Sequence, residues 1–342
     1  MKSVDDLLLG KDLSISRSEE LFRFLLNKKI ENDPLKKQIL VLLQKKGEHA
    51  NELVGLVRTI RKMENRIPHV RIPYLVDGCG TGGDGACTFS ISTIASIVAA
   101  GAGAHVAKHG NRSISSRCGS ADLLEALRVK IDASPKQMLK ALKKCGMGYF
   151  HAPLYHPLFK GFQSVRSSLA ERGVRTIFNL VGPLVNPLKP RRQVIGVFRK
   201  GFVDMFARTV KKLNYERVLI VWGYGGLDEL TTTDRTLMIE LNRGKLKKMV
   251  ISPHKLGMPR GKRHELKGGN SEYNRKVALS ILEGEDTSTR HNVVLLNAAA
   301  ILYASGRAKD LREGILLARK SIESKAAKHV LEQLIEISHG IE

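Results

Sequence analysis

Asp77-Gly78-Cys79-Gly80-Thr81-Gly82-Gly83-Asp84-Gly85 places five glycines in nine residues, between the apolar run Ile72–Val76 and the small-residue segment Ser92–Ala100. Glycine reaches positive φ without strain and lets a ligand approach the backbone closely. The run before it is too short for a core helix and predicts a buried strand. The segment after it predicts a helix, with Ser92 or Thr93 near its N-cap. In a strand, glycine loop and helix start, the N–H groups of the loop and first turn face an anion, which suits a phosphate. A lone glycine-rich loop is equally a tight turn, so its meaning depends on the rest of the chain.

Working outward, apolar runs at Ala104–Ala107, Val194–Phe198 and Val218–Trp222 predict further strands. Helical spacing recurs at 92–101, 121–128, 135–145, 202–213, 272–283, 291–305 and 311–335. Residues 18–27, 34–46 and 50–63 also read as helices, with Asp33-Pro34 as a cap followed by an N1 proline. The pattern predicts an α/β protein. A small N-terminal helical domain (residues 1–71) precedes a large α/β domain (residues 72–342) with a central mixed or parallel sheet. Its chemistry is expected at the carboxyl ends of the strands. The Gly-, Pro- and Lys/Arg-rich stretch Ser252–Asn270 reads as a long mobile loop.

Composition narrows the class. The 342 residues are 42% hydrophobic and 26% charged, ordinary for a soluble globular protein. No apolar run approaches the roughly 18 residues of a membrane span, and no signal-peptide pattern opens the chain. Cys79, Cys87, Cys118 and Cys145 lack metal-ligand spacing. A cytoplasmic protein with reduced thiols is expected. The net charge of +24 is concentrated: residues 189–217 and 243–276 supply +16 of it. Such a field attracts and steers anions. Nucleic acid is a possible partner but not favoured, because only 5% of residues are aromatic and no helix-turn-helix or RNP-like pattern is present.

Three more constellations accompany the glycine loop. Lys108-His109-Gly110-Asn111-Arg112-Ser113-Ile114-Ser115-Ser116 follows a predicted strand, and Cys118-Gly119-Ser120-Ala121-Asp122 comes next. An unpaired ammonium ending a buried strand is costly, so Lys108 is expected to meet an anion or a carboxylate, with Asp84 and Asp122 the structural candidates. Arg166 precedes Arg175-Thr176-Ile177-Phe178-Asn179-Leu180-Val181-Gly182-Pro183-Leu184-Val185-Asn186-Pro187, and an arginine here can grip a carboxylate bidentately. Gly225-Gly226-Leu227-Asp228-Glu229 follows the strand ending at Trp222. Adjacent carboxylates on such a loop can hold Mg²⁺ against phosphate oxygens, although an Asp-Glu pair is more often a solvated turn.

Together, in this order and spacing, these segments resemble the anthranilate phosphoribosyltransferase family over roughly residues 10–335, the run Leu295–Tyr303 included. The resemblance implies a nucleoside phosphorylase/phosphoribosyltransferase-type fold and usually a homodimer. It implies an Mg²⁺-dependent pentosyl transfer from phosphoribosyl pyrophosphate to the amine of anthranilate, with release of pyrophosphate, in tryptophan biosynthesis. It places Gly80, Gly83, Asp84, Thr88, Ser90, Ile91, Ser92, Thr93, Lys108, His109, Gly110, Asn111, Arg112, Ser113, Ile114, Ser115, Ser116 and Ser120 at the substrates. Asn111, Arg166 and Gly80 would meet anthranilate, and Ser92, Asp228 and Glu229 would hold Mg²⁺. No side chain is implied as nucleophile or acid; leaving-group stabilisation by Lys108 and the metal is the expected mechanism. Ser90 stands where the family usually has Asn, and Ala170–Val174 make a slightly longer arm. The alternatives are a phosphorylase or a transferase with another acceptor on the same scaffold, or a nucleic-acid-binding member of the same fold; Asp228-Glu229 and Arg166 favour the anthranilate enzyme over the phosphorylase.

Overall fold

The computed structural model describes residues 2–27, 32–65, 67–68, 70–113 and 117–341. Four helices come first: α1 (Lys2–Leu8), α2 (Ile15–Leu25), α3 (Asp33–Lys46) and α4 (Ala50–Met63). The helix start falls one residue earlier than expected: Asn32, not Asp33, is the cap, its side chain accepting from the Leu35 N–H at 3.0 Å, and Asp33 and Pro34 open the first turn.

The sheet contains β1 (Val76–Gly80), β2 (Val106–Gly110), β3 (Met147–His151), β4 (Arg192–Gly196), β5 (Arg217–Gly223), β6 (Thr236–Asn242) and β7 (Lys245–Ile251). Its order is β3-β2-β1-β4-β5-β6-β7. The first five strands are parallel, and β6 and β7 add an antiparallel hairpin at one edge. The hairpin turns on Arg243 (φ 46°) and Gly244 (φ 81°), two positive-φ residues whose twist matches that of the strands. β1 is central, with β2 on one side and β4 on the other. The chain reverses its direction of winding there, and the crevice outside the carboxyl ends of β1 and β4 is where open α/β sheets bind ligands.

The predicted strands exist but are displaced. β1 begins where the apolar run ends and takes in half of the glycine stretch, because residues 76–80 pair one for one with 192–196. Gly78 pairs with Val194 within that strand, and a β-carbon there would lie 2.8 Å from the Ile301 side chain. β3, β6 and β7 lie outside the four predicted runs.

The remaining helices are α5 (Ile91–Gly101), α6 (Ser120–Ala126), α7 (Pro135–Lys144), α8 (Ala152–Tyr155), α9 (Gln163–Glu171), α10 (Phe202–Lys212), α11 (Ser271–Leu282), α12 (Thr289–Ser305), α13 (Leu311–Glu323) and α14 (Ala326–Ser338). The single helix expected over 311–335 is broken at Ser324-Lys325, where Lys325 takes φ 62°. One core joins α5, α6, α7, α11, α12, α13 and α14 to one sheet face. A second joins α1–α4 to α9, α10 and the other face. α12 is apolar almost all round and is correspondingly buried from Val293 to Leu302.

Ser252–Asn270 is anchored. Leu266 and Met258 are buried. The Phe89 N–H donates to Leu266 O, Gly268 N–H to Cys87 O, and Gly261 N–H to Thr232 O, at 2.8–3.1 Å. The stretch is a strap tied to both the residues after the glycine loop and those after Glu229. Part of the 189–217 charge is also structural. Arg192 pairs with Glu216, Arg217 with Glu240, and each guanidinium stacks on an aromatic ring, Tyr74 and Tyr303. Both arginines start their strands, at the end of the sheet opposite the crevice.

Candidate active site

Two glycines define the crevice. A β-carbon on Gly80 would collide with the Asp228 carboxylate, and one on Gly196 with the Asp228 backbone carbonyl. The paired ends of β1 and β4 must therefore be bare for the Asp228-Glu229 turn to lie across them. Asp228 Oδ2 accepts from the Gly82 N–H at 2.7 Å, so the turn and the glycine loop are bound to each other. Gly82 and Gly83 hold φ 65° and 73°, a conformation costly for any other residue.

The turn is fixed from behind by Asn297 on α12. Its amide donates to Leu230 O and Val293 O at 2.8 and 2.9 Å and accepts from the Leu230 N–H at 3.1 Å. This satisfies both backbone groups of the residue after Glu229 in an interior where neither can meet water. Asn297 lies in the Leu295–Tyr303 run, yet its role as a support could not be read from the run alone.

Lys108 is the buried cation of the site, 2% exposed. It meets no carboxylate in an ion pair among the described residues. Its Nζ donates to Gly78 O at 2.6 Å and to Ser92 Oγ at 3.4 Å. Neither predicted structural partner takes it: Asp122 is held by Arg112, and Asp84 accepts from the Ala86 N–H. Beneath Lys108, Asp77 is fully buried. It accepts from Asn186 Nδ2 at 2.9 Å and from the His109 N–H at 3.4 Å. Burial pushes its carboxyl up to about 6, against the opposing pull of the Lys108 charge. This Asp77–Asn186 pair was hidden because Asp77 looked like loop and proved to be strand.

Three carboxylates gather in the crevice. Burial first, then the charge of Asp84, lifts the Asp228 carboxyl to about 7. Burial and the Asp228 charge push Glu229 well above its ordinary range, while Lys108 and a hydrogen bond from the Ser92 N–H oppose this. Asp84 Oδ2 is buried without a hydrogen-bond partner. Close like charges with an orphaned oxygen make an arrangement short of a cation. Among the described residues no group of three His, Cys, Asp or Glu side chains encloses a metal by itself. The adjacent Asp228 and Glu229 carboxylates are the number a hard ion such as Mg²⁺ takes from a protein, with water and substrate phosphate in its other positions.

A second wall runs from β2 toward α9. The rings of His109 and His156 meet edge to face with centroids 5.5 Å apart, and His156 meets Phe159 at 5.7 Å. Arg166 lies 5.8 Å from the Phe159 ring centre. Burial holds both histidines neutral, His109 well below its usual range and His156 down at about 4. His156 donates to Val185 O at 2.7 Å, and His109 Nε2 has no partner. Arg166 is half-buried and makes no hydrogen bond or ion pair among the described residues; desolvation lowers its pKa. A free guanidinium beside uncharged rings can receive a flat molecule bearing a carboxylate.

The other expected residues divide. Gly80, Gly83, Asp84, Ser92, Lys108, Asp228 and Glu229 come together at the crevice. Thr88 bridges to Lys267. Ser90 is the N-cap of α5, so the helix starts just ahead of the expected Ser92 or Thr93. The Ser90 N–H donates to Asn274 Oδ1 at 3.2 Å. Ile91 and Thr93 are 1% exposed, so their side chains face the core. Gly110 lies against Ser120, whose hydroxyl donates to Asn111 O at 3.2 Å. Arg112 is turned to Asp122 and Glu125 at 3.0 and 2.7 Å, and the Ser113 N–H donates to Asp122 at 3.0 Å. Ile114, Ser115 and Ser116 lie outside the described residues.

Known proteins are similar to this chain in sequence and in fold. Residues 73–328 match the family model described as "Glycosyl transferase family, a/b domain". The chain is 42% identical to the anthranilate phosphoribosyltransferase of Persephonella marina, over 97% of this chain and 96% of that one. It is 41% identical to that of Desulfosudis oleivorans, over 98% of each. Among solved structures, the enzyme of that name from Thermus thermophilus superposes with a TM-score of 0.91 at 36% identity, over 99% of this chain and 100% of that chain. The Saccharomyces cerevisiae enzyme, solved in complex with PRPP and Mg, shares the fold with a TM-score of 0.86 at 24% identity, over 96% and 94%.

Proposed function

The chain belongs to the anthranilate phosphoribosyltransferase family, and on that premise we infer how its residues carry out the transfer. The reaction moves a phosphoribosyl group from phosphoribosyl pyrophosphate to the amine of anthranilate and releases pyrophosphate, a step of tryptophan biosynthesis. The observation that carries the residue assignment is the crevice at Gly80 and Gly196, with Lys108 below and Asp228-Glu229 above.

In this reading the donor's pyrophosphate lies on the loop from Gly80 to Asp84 and the start of α5. Loop N–H groups, Thr88, Ser90, Ser92, Lys108, Asn111, Ser113 and Ser120 supply its hydrogen bonds. Asp228 and Glu229, with Ser92 and Asp84 beside them, would hold Mg²⁺. The metal when bound neutralises charge on the leaving pyrophosphate. Lys108 adds a cation that costs nothing to reorganise as the C1–O bond breaks, because β2 and its bond to Gly78 O already fix it. Arg166 grips the anthranilate carboxylate, and the neutral rings of His109 and His156 flank the acceptor. The amine is then held in line with the ribosyl carbon, and alignment supplies much of the rate. Ile91 and Thr93 contribute through backbone N–H groups, since their side chains are buried.

The division at residues 71 and 72, a homodimer and a cytoplasmic location belong to the same proposal. Leu8 and Leu9 stand exposed at 66% and 68% on and just beyond α1, an apolar corner suited to a second copy. Among the described residues no helix is long and apolar enough to cross a membrane. Mass spectrometry of the product tests the acceptor assignment. N-(5-phosphoribosyl)anthranilate should form, with no adduct of benzoate, which keeps the carboxylate and lacks the amine. Ribosyl phosphate formed from a pyrimidine nucleoside and inorganic phosphate would replace this reading with a phosphorylase.

A further inference from the structure

Arg175 lies in the linker after α9, and its guanidinium rests against the glycine loop. Its Cζ is 3.6 Å from where a β-carbon on Gly83 would stand. The same group stacks on Phe198, 4.6 Å from the ring centre. Phe198 is itself tied to the loop, its N–H donating to Thr81 Oγ1 at 3.3 Å. The Thr81 N–H donates in turn to Gly196 O at 2.9 Å. The arginine is thus held between an aromatic ring and the turn that shapes the crevice.

Its charge is unspent. Among the described residues Arg175 forms no ion pair, although Asp84 is the residue after Gly83 and keeps an oxygen without a partner. Arg112 and Arg192, by contrast, are paired with carboxylates. Lys108 is bound to Gly78 O at the strand before the loop, and Arg175 lies against Gly83 further along it. A cavity of about 600 Å³ opens beside Arg175, bounded by Glu48, Phe198 and Arg199, so the side chain has room to turn. A planar guanidinium with free N–H groups beside a loop of backbone donors matches a phosphate group.

We propose that Arg175 is a further donor-binding residue, gripping a phosphate of the phosphoribosyl donor across Gly83 and closing the α9 linker on it. This rests on the donor occupying the glycine loop, as inferred above. A β-carbon at position 83 would stand at ordinary contact distance from the guanidinium, so the arginine lies directly against the bare loop. This role also separates the two arginines of this region, Arg175 for the donor and Arg166 for the acceptor.

The test compares the full-length protein with Arg175→Gln, Arg175→Lys and Arg199→Gln. The last removes a cation of the same cavity, 5.9 Å from the Phe198 ring, without touching the loop. The donor KM of Arg175→Gln should rise about 10- to 100-fold, as expected for loss of a charged hydrogen-bond pair. The turnover at saturation, the anthranilate KM and the melting temperature should stay near wild type. Arg175→Lys should recover part of the donor affinity, and Arg199→Gln should behave as wild type. Calorimetric titration of inorganic pyrophosphate with Mg²⁺ should show the same ranking. An unchanged donor KM and pyrophosphate affinity in Arg175→Gln overturns the proposal. So does a lysine variant no better than glutamine with a lowered melting temperature, which makes Arg175 a packing residue on Phe198. If wild type fails to transfer phosphoribosyl to anthranilate, the functional reading falls, and the pyrophosphate titration still decides Arg175.

Discussion

Neutralising the crevice carboxylates should inactivate the protein and stabilise it in the same step. In Asp228→Asn with Glu229→Gln, shape is kept and two negative charges are removed. Asp228 titrates at about 7 in the folded chain against 3.8 as a free side chain. Folding therefore loses stability as pH climbs from about 3.8 to about 7, and at pH 8 the whole penalty is present. A shift of this size corresponds to roughly 4 kcal/mol at about 1.4 kcal/mol per pKa unit. Solvent reaches part of the crevice, and asparagine accepts the Gly82 N–H less strongly than a carboxylate does. A net gain of about 1–3 kcal/mol is the reasonable expectation. For a chain of this length that is a rise in melting temperature of roughly 2–4 °C. The measurement is thermal melting at pH 8 in chelator and again in millimolar Mg²⁺, beside turnover. Wild type should gain stability from Mg²⁺; the double variant should start higher, gain nothing, and lose about a thousandfold or more in turnover. A double variant that melts below wild type without metal would refute the like-charge argument. One that keeps near-normal turnover would refute the metal assignment.

Other expectations follow from single groups. Arg166→Ala should weaken anthranilate about 10- to 100-fold and leave donor KM nearly unchanged; initial-rate kinetics against each substrate checks this, and the reverse pattern would move Arg166 to the phosphate side. Asn297→Leu should cost about 2–5 kcal/mol, because it strands both backbone groups of Leu230 in the interior; chemical denaturation measures it, and a neutral result would mean another group supports the turn. Inert salt should lower kcat/KM for the donor with little change in turnover at saturation, because steering of an anion is screened over about 8–10 Å. Lys245→Gln with Lys247→Gln, both exposed on β7, should flatten that dependence in stopped-flow or initial-rate data.

The sequence was informative where one local pattern had one structural solution. The small-residue helix after the glycine loop and the largely apolar α12 are such cases. Boundaries moved where pairing partners overrode apolar runs: β1 continues through Gly80 because β4 runs beside it to Gly196. β7 escaped notice because an edge strand carries lysines outward, a device that discourages further pairing and removes the apolar alternation by which strands are recognised. Ser252–Asn270 looked loose from its glycines and lysines, but its anchors are backbone hydrogen bonds and two apolar side chains, Met258 and Leu266. The site residues on the crevice floor were legible because each falls inside a dense motif. Asn297, Asn186 and Asn274 were not, since a single buried amide acts through partners far away in sequence. Arg112 was read toward the donor, and Asp122 and Glu125 hold it in a local ion cluster.

The account stands on metal-dependent consumption of anthranilate at this crevice. Loss of anthranilate fluorescence should be followed with phosphoribosyl pyrophosphate in excess, first in chelator and then after Mg²⁺ is added. The account predicts a signal stable in chelator that falls promptly with Mg²⁺, matched one for one by released pyrophosphate. Fluorescence that stays constant after Mg²⁺, or falls equally fast in chelator, would contradict it.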